Sequence, residues 1–319
     1  MRSQKIFNQW RYIRNGLRCG ATPSKMFQLP AIENEPIPTY EVGSPERAKL
    51  QIALDEMVKE FPVKIPLVIN GQSIYTQEQD VQFNPSSHDQ KVASFSLASK
   101  DQVQAAIDGA LKAREAWDLL DFQHKAAIFL KAADLLSTKY RYKVMAATML
   151  GQGKNIWQAA IDCHAELADF WRFNVQYAYE IMATQPKKHS PYVWNRLEYR
   201  GLEGFVYSIS PFNFTAIGGN LPSAPAIMGN VNIWKPSPAA VLSNYIVYQV
   251  LEEAGIPPGV IQFVTGDAKL VSDVCLNSPD FSGLHFTGST AVFKHLWHQI
   301  GTNLDVYKNY PRIVGIFKI

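Results

Sequence analysis

The stretch GFVYSISPFNFTAIGGNLPSAPAIMGNVNIWKPS, Gly204 to Ser237, decides the fold. It reads as a strand from Phe205 to Ile209, a turn at Ser210-Pro211, a helix of small apolar residues, and a second strand from Asn230 to Trp234 that ends at Lys235. Open α/β sheets bind their ligands in the crevice at the carboxyl ends of such strands. Asn213 and Lys235 fall there. Two readings of Asn213 are open: a helix cap, which asparagine often is, or an amide donor set beside the backbone N–H groups of a helix start, where an oxyanion could form. Lys235 likewise reads as a solvated lysine at a strand end or as a ligand contact.

Downstream the alternation continues at the spacing of βαβ units: a helix over Ser243–Ala254, the strand VIQFVTG, a helix over Ala268–Leu276, the strand GLHFTG and a helix from Ser289. Right-handed crossovers make such a series a parallel sheet, and its strands are apolar throughout, as burial on both faces requires. The expected class is α/β with a Rossmann-like parallel sheet. No G-x-G-x-x-G follows any of these strands. FTGST instead sets Gly288 and Ser289 between a strand and a helix start, which reads either as a glycine turn with a serine cap or as a phosphate site at the positive end of a helix.

PFNF (211–214), WKPS (234–237) and FTGST (286–290) stand in the order and at the spacing of the aldehyde dehydrogenase superfamily, which the chain resembles from about Ile37 to Gly315. Phe293 in GSTAVFKHLW, where many members carry glycine, resembles the mitochondrial branch that oxidises glutamate 5-semialdehyde to glutamate with NAD in proline catabolism. The resemblance implies NAD as cofactor, with Lys235 on the adenosine ribose, Ser210 and Pro211 beside the nicotinamide, and Gly266 in the loop near the adenine. It places Gly288, Ser289, Thr290, Ala291 and Val292 against the pyrophosphate, with Glu253 and Asp267 as further candidates near the adenine. Asn213 becomes the oxyanion donor. No arginine stands directly beside Lys235 to receive a 2′-phosphate, which favours NAD.

The same chemistry needs a thiolate nucleophile and a base. The family's nucleophile lies in a GQ-x-C segment downstream of the GST motif, a setting that none of Cys19, Cys163 and Cys275 has. Ile316, after YPRIVG, stands where the family's glutamate would be. The expectation is a truncated chain, inactive as it stands, with the catalytic domain of the fold missing. The alternative is a catalytically dead NAD-binding module, or a subunit that pairs with full-length enzyme or with its own copies.

Residues 1–31 carry Arg2, Lys5, Arg11, Arg14, Arg18 and Lys25, and no acid precedes Glu33; this reads as a mitochondrial presequence, against a plain basic tail. The matrix is the expected compartment. Residues Ala31 to Pro45 read as an extended arm, and a helix runs from Pro45 to Phe61. KIPLVING and SIYT form a hairpin about Asn70-Gly71, with Val81–Asn84 and Lys91–Leu97 extending the same β layer. Helices start near Ser99, Gln123 and Tyr142, the last closing at Gly151 in a left-handed cap. A single long helix covers Ile156 to Ala183. Its Cys163, His164, Glu166 and Asp169 lack the arrangement of a metal site, and by resemblance its Phe170, Trp171 and Phe173 wall the aldehyde's entry tunnel. Tyr192 to Gly204 alternates like a β hairpin, which in the family pairs with another subunit.

The chain thus divides into 1–31, an arm with hairpins and helices (32–191), an oligomerisation hairpin (192–204), the βαβ core (205–305) and a divergent tail (306–319). A net charge of +3, hydrophobic residues at 47% and charged residues at 18% give no basis for nucleic-acid binding. No apolar run is long enough to span a bilayer. The odd, widely spaced cysteines give neither a disulfide framework nor zinc spacing.

Overall fold

The structure, a computed structural model, describes residues 28–318. Apart from residues 28–31, the basic amino-terminal segment lies outside the described residues. Residues 28–41 hold no helix or strand, in keeping with the arm expected over Ala31 to Pro45, which ends in a turn at residues 42–43 before Pro45 starts a helix. Glu35 straps the arm down: its carboxylate accepts from Arg141 at 2.6 Å and Arg172 at 2.7 Å, while Asp169 accepts from Asn34 and from the Glu35 N–H.

Ser44 caps α1 (Pro45–Lys59), with proline at its start. Next in the chain are strands β1 (Val63–Ile65), β2 (Leu67–Ile69), β3 (Gln72–Ile74), β4 (Gln79–Asn84) and β5 (Ser87–Ser96). Asn70 and Gly71 both take positive φ and close the β2–β3 hairpin. These strands do not make one layer. β1, β5 and β4 form a small sheet of their own, whereas β2 and β3 join the large one. Pro66 explains the split, because it cannot donate to a ladder and so breaks KIPLVI into two strands.

A Ser99–Gln102 capping box opens α2 (Lys100–Leu119). Next come α3 (Phe122–Ser137) and α4 (Arg141–Gln152). Gly153, not Gly151, supplies the left-handed cap, with φ +68°. Gly151 lies inside α4 for a packing reason: a Cβ there would stand 2.6 Å from Gln82 Nε2. The long helix is interrupted. α5 (Ile156–Ala159) passes through a π turn (Ala160–Glu166) into α6 (Leu167–Ala183). Such a turn inserts an extra residue and rotates the rest of the helix about its axis, a device that clusters at functional sites. Trp171 is fully buried in the core, so it walls no tunnel. Residues 184–204 hold no strand, and Tyr192, Val193 and Trp194 are exposed. Alternation alone does not make a ladder, since a strand also needs a partner.

The βαβ series is as expected through its last helix: β6 (Phe205–Ile209), α7 (Thr215–Ile227), β7 (Asn232–Lys235), α8 (Val241–Ala254), β8 (Ile261–Phe263), α9 (Ala268–Leu276), β9 (Phe281–Ser289) and α10 (Thr290–Thr302); within the segment read as a divergent tail, β10 (Arg312–Lys318) adds a further strand. The large sheet has the order β10-β9-β6-β7-β8-β2-β3, parallel from β10 to β8 and closed by the antiparallel hairpin. From β6 the chain steps outward to β7 and β8, then returns across β6 to β9. Right-handed crossovers therefore put α7 and α8 on one face and α9 on the other, and the order reverses between β6 and β9.

Replacing Glu35 by alanine leaves the guanidinium groups of Arg141 and Arg172, both mostly buried, short of an acceptor. The expected loss is about 1–3 kcal/mol in urea unfolding, with faster proteolytic cleavage within residues 28–43.

Candidate functional site

The crevice forms where β6, β7 and β9 end. Register aligns Ile209 with Lys235 on one side and with Phe286 on the other. Ser210 is tied into the floor: its N–H donates to the Lys235 carbonyl at 3.2 Å, and its hydroxyl accepts from Trp234 Nε1 at 3.0 Å. Trp234 is held in turn edge-on against Phe263, with ring centroids 5.2 Å apart. Ser210 and Pro211 are both buried.

Lys235 is only 5% exposed, and no described residue accepts a hydrogen bond from its ammonium. Burial pulls its pKa down to about 8, and the Asp267 carboxylate partly opposes that. A buried charge without an acceptor is costly unless something supplies one. The bland reading, a solvated strand-end lysine, fails on burial.

Gly266 lies in the loop after β8, where Thr265 donates its hydroxyl to Ser96 O and accepts from the Ala98 N–H at 2.9 Å. A Cβ on Gly266 would stand 3.0 Å from Val271 and 3.3 Å from Ala98 N, so a larger residue would need these neighbours to give by a few tenths of an ångström. Gly288 and Ser289 sit at the end of β9, not in a turn after it, since both pair with β10. The Ser289 hydroxyl accepts from the Val292 N–H at 3.3 Å and caps α10. Ala291 and Val292 are exposed on the first turn, and Thr290 begins it. Phe293 is buried against Phe286, and its ring stacks on Phe317 at 4.5 Å. A Cβ on Gly315 would meet the Phe293 ring at 2.5 Å, so the large side chain here is matched by a missing one on β10.

Glu253 is not at the crevice. It ends α8, which runs back from the carboxyl ends of the strands to their amino ends, and there it binds Lys139 at 2.6 Å and Tyr140 at 2.7 Å. Asp267 remains on the crevice side, where its carboxylate caps α9 by accepting from the Leu270 N–H at 2.8 Å.

Asn213 is exposed, and no described residue hydrogen-bonds its side chain, so it caps nothing. The helix N–H groups beside it are not available to an oxyanion either. Asp162, from the π turn, accepts from Thr215 N at 3.0 Å and Ala216 N at 2.9 Å. Lys154 binds the same carboxylate at 2.6 Å and lies 4.1 Å from the centroid of the Phe214 ring. Thr215 is fixed further through its hydroxyl, which meets Thr148, Gln152 and Ser243. This network holds the loop that carries Asn213, yet Asp162 and Lys154 were not legible as partners of Thr215. The one signal is an aspartate inside the apolar run AAIDCHAEL.

Cys163 donates its thiol to Ala159 O and is fully buried; burial, with Asp162 adding to it, pushes its pKa well up. Cys275 is buried too, and burial pushes its thiol up. His164 is held neutral, its pKa pulled down to about 3 first by burial and then by Arg141. Asp169 is engaged with the arm. Cys19 lies outside the described residues.

Removing Asp162 strands the Lys154 ammonium and two helix N–H groups. Asp162→Ala should lower stability by about 3–5 kcal/mol in urea or thermal unfolding, as breaking a buried pair does.

Residues 75–308 match the model of the aldehyde dehydrogenase family. Among curated relatives, the delta-1-pyrroline-5-carboxylate dehydrogenase of Agaricus bisporus is 57% identical over 289 residues, covering 91% of this chain and 53% of that protein. The mitochondrial protein of the same name from Homo sapiens is 49% identical over 284 residues, covering 89% of this chain and 50% of that protein. The chain therefore spans about half the length of the curated relatives it matches. Among solved structures, the delta-pyrroline-5-carboxylate dehydrogenase of Mycobacterium tuberculosis bound with NAD superposes with a TM-score of 0.90 at 47% identity, over 92% of this chain and 55% of that one. The 1-pyrroline-5-carboxylate dehydrogenase from Thermus with bound NAD gives 0.85 at 28% identity, over 91% and 56%.

Proposed function

The chain belongs to the aldehyde dehydrogenase family, and we propose from that membership that it supplies the NAD-binding part of a delta-1-pyrroline-5-carboxylate dehydrogenase, which oxidises L-glutamate 5-semialdehyde to glutamate in proline catabolism. The observation that carries this reading is Lys235: a buried ammonium at the carboxyl end of a parallel strand, without an acceptor among the described residues. Ribose hydroxyls would provide what it lacks. The residues present fit a dinucleotide in a second respect, because β9 ends at a capped helix start where a diphosphate is favoured by the helix dipole.

In this reading Lys235 holds the adenosine ribose, and Gly288, Ser289, Thr290, Ala291 and Val292 border the pyrophosphate. Ser210 and Pro211, fixed by Trp234, form the floor on the nicotinamide side, while Gly266 and Asp267 border the adenine. NAD, when bound, is a hydride acceptor. Asn213 would donate its amide N–H to the aldehyde oxygen; its exposure and lack of a competing partner leave it available, and the Asp162 network sets the position of its loop. The thiolate comes from neither Cys163 nor Cys275, both of which are buried as neutral thiols. In the second reading these residues bind cofactor without performing the covalent step, alone or paired with a longer subunit. The arginine-rich first residues and the mitochondrial relatives support a matrix location. Among the described residues no helix is long and apolar enough to cross a membrane.

Calorimetric titration of the chain with NAD tests the assignment. Lys235→Ala should weaken binding by about 1–2 kcal/mol through lost hydrogen bonds, whereas Cys275→Ala, judged at matched folded fraction, should leave affinity unchanged. Equal affinity of the wild type and Lys235→Ala would remove Lys235 from the site.

A further inference from the structure

Lysine side chains are rarely buried without a partner, and Lys235 is only 5% exposed, at the carboxyl end of β7. On the β6 side the chain continues into Ser210 and Pro211, which carry no charge; the Ser210 hydroxyl already accepts from Trp234, and its N–H is spent on the Lys235 carbonyl. The β8 side contributes Phe263 to Gly266, which carry no charge. Of the charged side chains on α2, which packs across this part of the sheet, none bears on the ammonium. Asp267, in the loop before α9, is the ionisable group that does. The protein therefore offers the charged form one carboxylate at the crevice mouth and, among the described residues, no hydrogen-bond acceptor.

We infer that filling this crevice with a dinucleotide draws a proton onto Lys235 Nζ, so that occupancy of the site and protonation of this side chain are linked. The inference rests on the dinucleotide reading above and adds its regulation. A bound dinucleotide brings hydroxyl oxygens as acceptors and an anionic diphosphate as counter-charge, and both stabilise the ammonium over the amine. In the free protein burial has already brought the two forms into balance at about pH 8. Below that pH the ammonium is present before the ligand arrives and binding moves no proton, while above it the amine must first be protonated. Affinity for NAD is then nearly level below about pH 7 and falls roughly tenfold by about pH 9, with uptake of about half a proton per site near pH 8.

The test is calorimetric titration of the full 319-residue chain with NAD in phosphate and in Tris, buffers of very different ionisation enthalpy. The difference in measured heat reports protons taken up. Uptake near pH 8 that vanishes at about pH 6.5, and that is lost in Lys235→Met, is the expected result. Lys235→Arg provides a second variant that stays charged and should bind without uptake. Asp267→Asn removes the opposing carboxylate and should move the pH of greatest uptake downward. Binding with equal heats in both buffers from about pH 7 to 9 overturns the linkage and leaves the NAD reading standing. Uptake that persists in Lys235→Arg also overturns it, since the proton then goes elsewhere. No binding of NAD at any pH overturns both readings.

Discussion

Parallel pairing of β9, β6, β7 and β8 is the constraint on which everything else depends. Each of these strands must be followed by a helix that returns the chain to the other end of the sheet, so all their carboxyl ends lie along one edge. Lys235, Ser210, Gly266 and Ser289 are far apart in sequence and share that edge for this reason. The same rule carries Glu253 away from it, because the end of α8 belongs to the opposite edge. The reversal of strand order between β6 and β9 then opens the crevice between Ser210 and Ser289.

Among the described residues three buried charges bear on the arm and the crevice, with different consequences, while a fourth, Lys125, is closed by the carbonyls of Trp117 and Asp118. Glu35 is satisfied by two guanidinium groups and fastens the arm to α4 and α6. Asp162 is satisfied by Lys154 and two helix N–H groups, and fixes the start of α7 beneath the loop of Asn213. Lys235 has no such closure among the described residues. Since a buried charge is retained at a cost unless it is paired, the first two read as architecture, and the third is the one to which we propose a ligand contact.

The π turn joins these themes. By inserting one residue between α5 and α6 it turns Asp162 toward Thr215, while Cys163 and His164 face the core as neutral groups. Three of the side chains that look clustered in the one-dimensional chain are thereby dispersed: Asp169 serves the arm, Cys163 binds its own helix backbone, and His164 is simply enclosed.

The sequence by itself determined the order of strands and helices from Phe205 onward, the helix start at Pro45, the caps at Ser99 and Ser289, and the Asn70-Gly71 turn, because these are set by periodicity, by proline and glycine, and by hydrogen bonds between residues three or four apart. Family and crevice were legible for the same reason, from short motifs at the ends of apolar strands. Only the tertiary structure decided that Pro66 sends β1 and β2 to different sheets, that residues 192–204 find no partner strand within the described chain, that Trp171 is core, and that Asp162 rather than Asn213 serves the N–H groups of α7. Each of these turns on which distant residue lies opposite. Composition and spacing carry no record of that, since a partner 53 positions away in the chain, as Thr215 is from Asp162, is chosen by packing and not by local propensity.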